Sequence, residues 1–459
     1  MHGVEVLVLS NNQYCTTTAC QINSYLIHLI HLIHLILLIP LILLGLSLSG
    51  QPDTLKVMQY NLLNYGNNTS YCTTTNNNIN DKNGYIRTIL TAYYPDILTV
   101  CEMGRSTSLP TDFLNNNLNI NGVNYWMTSA GSNSANSSLT NCIFYNSSKL
   151  TFAGHHIAQT YTRDVDVYDF KFKNDQSGRI VLTCVIAHLK AGTGSDNETK
   201  RKTMAENIMR YIDLNYRESN VLIMGDFNLY TSAEPAYQTL TNQSTYPSCY
   251  FIDPLYPYGV GGWNNNSAYA DYHTQSTHKS NDSNCHSSGG MDDRFDFILM
   301  SENIYGGRDG VRYVGGSYNA LGNDGRRFNN SINSPVNYAV SQAVADALFH
   351  NSDHIPVTME LIYSDHLNVN ELANNKLSYD IFPNPASSEI NLRFYQDNPG
   401  KANLLLYNTL GQIVFSENIF VNDCFSEHVI NVENLPKGFY FLKITNADGL
   451  TDTSKIVVE

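Results

Sequence analysis

Chemistry in this sequence is concentrated where apolar runs stop. The run at 221–230 reads Val-Leu-Ile-Met-Gly-Asp-Phe-Asn-Leu-Tyr. Four consecutive apolar residues suit a strand buried on both faces, and Gly225 then lets the backbone turn. That turn presents Asp226 and Asn228 at the carboxyl end of the strand, where ligands collect on α/β sheets. Two residues apart on an extended segment, they would point the same way. The carboxylate suits a proton or cation, and the amide suits an anionic oxygen. Taken alone, the pattern equally describes a strand followed by a polar turn.

The same arrangement recurs along the chain. Residues 55–60 alternate as a strand and deliver Asn61, and 85–94 have helical spacing through Ile86, Ile89 and Leu90 until Pro95-Asp96 stops them. The strand at 97–100 ends in Cys101-Glu102, and an acid directly after an apolar strand is a poor core residue. Strands are expected at 141–145 and 165–172, and another at 180–187 ends in His188. Residues 200–216 form an amphipathic helix with Lys200, Arg201 and Lys202 in its first turn, a phosphate contact or a solvated helix end. Asp296 alternates with apolar neighbours in 295–300, and an inward-facing acid needs a partner. Asp353-His354 stands at the mouth of the strand 358–362, a natural acid/base or metal pair.

This set resembles the endonuclease/exonuclease/phosphatase superfamily, in its deoxyribonuclease I-like form, over residues 54–363. The resemblance rests on Gly-Asp-Phe-Asn at 225–228, Ser-Asp-His-Ile-Pro-Val at 352–357, Glu102 upstream and Arg-Phe-Asp-Phe-Ile-Leu at 294–299. It implies a four-layer α/β sandwich of two central sheets with helices outside. It also implies phosphodiester hydrolysis by water with a divalent cation, Mg2+ or alternatively Mn2+ or Ca2+. By position, Glu102 would be the principal metal ligand with Asn61 beside it, and Asp353 would support the metal side. Asp226 would orient or deprotonate water, and Asn228 would hydrogen-bond the phosphate. Asp296 would orient His354 against the scissile phosphate, and His188 would contact phosphate or help protonate the leaving oxygen. Apurinic-site endonucleases carry an Asp where this chain has Leu63, which puts that accessory contact in doubt.

The 459-residue chain is 42% apolar, enough for two or three domains, and 27 Lys+Arg against 41 Asp+Glu give a net charge of −14. General attraction to polyanions is therefore excluded, and contact with nucleic acid must rely on local charge or bound metal. Residues 25–48 are almost entirely Leu and Ile and precede Ser47-Leu48-Ser49, a small-residue site that reads as signal-peptide cleavage near Ser49 or Gly50. The stretch is also long enough for a membrane anchor, but a folded pattern follows at once, so no stable span is expected in the mature protein. No Lys or Arg precedes residue 50, and the segment 1–23 does not fit a signal, so translation is expected to start later or the leader is a gene-calling artefact. Of nine Cys, Cys101 and Cys184 read as buried thiols, and Cys249 and Cys285 flank the 246–290 segment as the preferred disulfide pair. That segment carries Trp263 and three histidines, His273, His278 and His286, whose spacing matches no metal template.

Past an Asn-rich linker at 364–376, residues 377–459 show short alternating strands and no helical period, a small all-β sandwich. Pro383-Asn384-Pro385, Leu410-Gly411-Gln412 and Leu435-Pro436-Lys437-Gly438-Phe439-Tyr440 resemble the C-terminal sorting domain of the Bacteroidetes type IX secretion system. The expected organisation is thus a leader (1–50), a catalytic domain (51–363), a linker and a sorting domain, in a monomer secreted or held at the cell surface through the type IX machinery. The expected activity is that of a nuclease on DNA or RNA. A sphingomyelinase or inositol-phosphate phosphatase stays open, with 246–263 as its membrane-contacting loop, as does an inactive surface-binding module.

Overall fold

Most strands before residue 364 are buried on both faces, which requires cover on each side of every sheet. The computed structural model describes residues 53–459 except 174–178, 258, 282–284, 364–376, 396–399, 422–425 and 447–450. The expected leader and linker lie outside the described residues. In chain order the elements are β1 (Asp53–Tyr65), α1 (Ile79–Leu90), β2 (Ile97–Gly104), β3 (Trp126–Ala130), β4 (Leu139–Asn146), β5 (Leu150–Gln159), β6 (Val165–Phe172) and β7 (Leu182–Ile186). There follow α2 (Ser195–Asn215), β8 (Val221–Asp226), α3 (Pro235–Thr241), β9 (Phe251–Ile252), β10 (Asp296–Ser301), β11 (Val311–Tyr313), β12 (Asn319–Ala320), α4 (Gln342–Asn351) and β13 (Val357–Tyr363).

Two sheets result, one ordered β11-β13-β1-β2-β4-β3 with β12 on β13, the other β5-β6-β7-β8-β10-β9. Side-chain alternation sets the layers. Leu222 and Met224 of β8 and Ile298 and Met300 of β10 share a core with Leu55 and Val57 of β1. The intervening Val221, Ile223, Phe297 and Leu299 face the other way, onto Met204, Ile208 and Ile212 of α2. Ile86 and Ile89 of α1 and Val344 and Leu348 of α4 complete the first sheet's core. The order helix, sheet, sheet, helix is the four-layer α/β sandwich, and each large aliphatic side chain so buried contributes about 1.5–3 kcal/mol.

Residues 378–458 build two further sheets, β14 (Ser378–Phe382), β15 (Glu389–Tyr395) and β18 (Ser426–Asn431) in one, and β16 (Gly400–Asn408), β17 (Ile413–Val421), β19 (Gly438–Thr445) and β20 (Thr451–Val458) in the other. Ile390 and Leu392 meet Leu404, Leu406, Leu442 and Ile444 in one core, so this is a small all-β sandwich.

Three expectations are corrected. The disulfide joins Cys72 to Cys285, and Cys249 is a free buried thiol like Cys101, Cys142 and Cys184. Trp263 is fully buried, its Nε1 donating to Leu229 O at 2.8 Å, so the 246–263 segment offers no tryptophan to a membrane. Arg201 is also fully buried, paired with Glu234 at 2.7 Å and donating to Lys190 O and Gly192 O, so it is no phosphate contact.

Candidate active site

Strand direction gathers the chemistry at one rim. β1 runs parallel to β2, and β7 parallel to β8, so their carboxyl ends bring Asn61, Glu102, His188 and Asp226 together. β10 and β13 run antiparallel to these neighbours, so their amino ends carry Asp296 and the preceding Asp353-His354 to the same rim. Asp296 is the register partner of Asp226. Ser352 ties the entry of β13 to its neighbour β1, its hydroxyl donating to Asn61 O at 2.8 Å and accepting from His354 N at 3.1 Å.

Local backbone aims each group. At Gly225 φ is +149°, and a Cβ there would lie 1.9 Å from Ala187 O, so only glycine lets β8 pass this close to the β7 exit. Glu102 has φ +61°, and the β2–β4 register shifts between Val100 and Met103. That irregularity turns the carboxylate into the rim, at a cost of about 1–3 kcal/mol in backbone strain. Asn228 has φ +51°, not the extended backbone expected; its N–H donates to Asp226 Oδ1 at 3.0 Å, and its amide nitrogen lies 3.4 Å from Leu189 O.

Ligand atoms of Glu102, His188 and Asp226 all lie within 4.8 Å of one another. Asn61 clamps the two acids, its Nδ2 donating to Glu102 Oε1 at 3.2 Å and Asp226 Oδ2 at 3.0 Å, while its Oδ1 accepts from Leu63 N at 2.9 Å. In this arrangement Asn61 positions carboxylates rather than offering an oxygen. Asn64 N donates to Glu102 Oε2 at 3.1 Å, and His188 Nε2 lies 3.5 Å from Asp226 Oδ2. Across the rim, His354 Nδ1 is 2.7 Å from Asp296 Oδ2, which turns Nε2 toward Asp226 Oδ2 at 3.7 Å. Asp353 Oδ2 accepts from Ser287 N at 2.8 Å, and its buried Oδ1, 4.0 Å from His354 Nε2, has no hydrogen-bond partner.

These charges interact strongly. Burial, reinforced by Asp296 and Glu102 and opposed by His354 and Asn61, pushes the Asp226 carboxyl up to about 7. Burial and then Asp353 raise Glu102. Burial, Arg163 and His354 hold His188 well below the usual imidazole range. For His354 burial disfavours charge, but Asp296 and Asp226 outweigh it and hold the ring well above its ordinary value. The Gln275 amide nitrogen, 2.7 Å from Nε2, suits a neutral ring instead. The charged partners dominate, since one amide hydrogen bond is weaker than two buried ion contacts.

Sequence reasoning missed three residues here. Gln275 comes from the long insertion and bridges Asp353 and His354. Arg163, in the β5–β6 loop, donates to Leu189 O at 2.8 Å beside His188. Buried Lys82 on α1 donates to Leu63 O, Asn77 Oδ1 and Asn351 O, tying β1 to the end of α4, and burial pushes its ammonium down to about 7. No local pattern marks any of them. Of the three insertion histidines, His273 sits between the carbonyls of Trp263 and Met291, and His278 and His286 stack with ring centroids 3.5 Å apart.

Comparison with known proteins bears on both parts of the chain. Residues 380–459 match the family described as secretion system C-terminal sorting domain. The tail is a sorting domain. It marks the chain for export by type IX secretion to the cell surface or beyond. The chain is similar in structure to an endonuclease/exonuclease/phosphatase family protein from Bacteroides thetaiotaomicron, at 15% identity over 68% of this chain and 99% of that one, TM-score 0.43. It is likewise similar to the human nocturnin catalytic domain with bound sulfate, at 14% identity over 68% and 98%, TM-score 0.41. A third such structure is D. rerio TDP2 complexed with single-strand DNA product, at 14% identity over 67% and 99%, TM-score 0.42. No curated protein matches the chain. Among the described residues, no helix is long and apolar enough to cross a membrane.

Proposed function

We propose that this protein is a secreted, divalent-cation-dependent phosphodiester hydrolase, a nuclease acting on DNA or RNA. The observation that carries the reading is the meeting, at one buried rim, of the Glu102–His188–Asp226 cluster with the His354–Asp296 pair. The residues fit a cation. They offer carboxylate oxygens, the donors that suit Mg2+ or Mn2+, with an imidazole beside them, and the raised Asp226 carboxyl together with Asp353 Oδ1, which has no hydrogen-bond partner, marks an excess of acceptors over donors. Glu102, Asp226 and His188 would hold it, and Asp353 would add negative charge in support. Bound there, a divalent cation would lower the barrier by neutralising charge on a phosphate oxygen and acidifying water.

The chain's own groups supply the rest. Asp226 orients the attacking water and accepts its proton. Asp296 fixes the His354 tautomer through Nδ1, leaving Nε2 to donate to the anionic phosphate oxygen. Arg163 adds positive charge beside His188, and Asn61 keeps the two carboxylates apart at a fixed spacing.

The test is hydrolysis of single-stranded DNA, RNA and sphingomyelin by the full chain with Mg2+, Mn2+ or Ca2+, each with a chelator control. Chelator-sensitive cleavage of DNA or RNA is the expected result. Cleavage of sphingomyelin alone would replace the nuclease with a phospholipid hydrolase.

A further inference from the structure

A groove of about 560 Å³ lies between the β5–β6 turn and α2, lined by Gln159, Tyr161, Asn207, Arg210, Tyr211 and Leu214. The loop that forms one wall also reaches the rim: Arg163, two residues from Tyr161, bonds the carbonyl next to His188. The other wall is one helical stripe of α2, Asn207, Arg210, Tyr211 and Leu214, at positions i, i+3, i+4 and i+7.

The chemistry of this track differs from that of the whole molecule. The chain carries −14, yet no carboxylate lines the groove. Three of the four acids of α2 pair with neighbouring cations, Asp196 with Lys200, Glu206 with Lys202 and Asp213 with Arg217, while Glu198 sits in its first turn away from the groove lining. Lys190 and Arg163 continue the positive charge to the site. Tyr161 is 44% and Leu214 74% exposed, giving apolar and aromatic faces beside the cations, and Asn207 and Gln159 add amides. Alternation of cations with aromatic faces is what a single nucleic-acid strand requires, phosphates on one and bases stacked on the other.

We infer that this groove is the strand-binding extension of the active site, taking the unpaired nucleotides that flank the scissile phosphate and stacking a base on Tyr161 beside Arg210. The inference rests on the nuclease reading and narrows its substrate to single-stranded nucleic acid.

The experiment uses the full chain and its Tyr161→Ala and Arg210→Ala variants, both altered at exposed positions. Binding of a fluorescein-labelled oligodeoxythymidylate of about eight nucleotides is followed by anisotropy in chelator, and kcat/KM is measured with Mn2+ on the oligonucleotide and on bis(p-nitrophenyl) phosphate. Each variant is expected to weaken oligonucleotide binding about tenfold, and to lower kcat/KM on the oligonucleotide about tenfold more than on the small diester. Arg210→Ala is also expected to reduce the salt slope of binding by about one. Wild-type binding by both variants, or equal losses on the two substrates, would overturn the groove. A wild-type chain that cleaves neither substrate would remove the nuclease reading, and anisotropy would still decide the groove. Binding to phosphatidylglycerol vesicles with none to the oligonucleotide would assign the groove to lipid and overturn the inference.

Discussion

At the scale of single residues, the site is a buried surplus of acids balanced by one imidazole. His354→Ala removes the group facing the phosphate while leaving both sheets intact. Phosphodiesterase turnover is expected to fall about 10²–10⁴-fold, and the thermal midpoint is expected to drop because buried Asp296 loses its partner, measured by steady-state kinetics beside a thermal melt. Asp226 contributes to the pH dependence of the cation-free protein. Its carboxyl holds its proton up to about 7 when folded, whereas the unfolded chain releases it near 3.8. The folded state therefore binds more protons between these values, and Asp226 makes stability fall as pH rises from about 4 to 7. The same proton competes with a cation, so added Mg2+ should stabilise more at pH 8 than at pH 5. Thermal melts with and without Mg2+ across that range check both signs, and an Asp226→Asn chain should lose both trends.

At the scale of elements, the rim exists because parallel and antiparallel neighbours point opposite ends at one place. Much of this was legible. The apolar runs ending at Asn61, Glu102, His188 and Asp226 announce strands because burial on both faces leaves no polar alternation to confuse the reading. The α1 helix begins well before its expected start because the Asn78 side chain caps it, accepting from Asn80 N, in a polar turn with no apolar period. α4 was not foreseen at all, being Ala-rich and capped by Ser341, and β18 and β20 were hidden by their charged outward residues. The role of Arg201 was misread because spacing alone cannot show that an acid 33 residues away, Glu234, folds back to meet it. Arg201→Ala would strand that buried carboxylate, and a loss of about 3–5 kcal/mol is expected. Urea denaturation measures it, and a loss under 1 kcal/mol would show the pair to be dispensable.

At the scale of the whole molecule, one covalent link joins the ends of the site. Cys72, in the turn after β1, is bonded to Cys285, in the insertion that also supplies Gln275 and Ser287 to Asp353. The link spans 213 residues, and chain-entropy arguments assign such a loop about 5 kcal/mol. A Cys72→Ser/Cys285→Ser chain is expected to melt lower and to lose turnover beyond its stability loss, because the segment holding Asp353 is no longer tethered. The sorting domain requires export, and export places the chain where this bond persists.

The central claim is that Glu102, His188 and Asp226 hold a divalent cation on which phosphodiester cleavage depends. Its most direct test is Mn2+ titration by calorimetry of the wild-type chain and a Glu102→Gln variant, with oligonucleotide hydrolysis measured on the same samples. We predict one Mn2+ per wild-type chain, binding weakened at least about tenfold in the variant, and activity lost in parallel. Full cleavage by the wild-type chain in chelator, or undiminished Mn2+ binding and turnover in Glu102→Gln, would contradict the account.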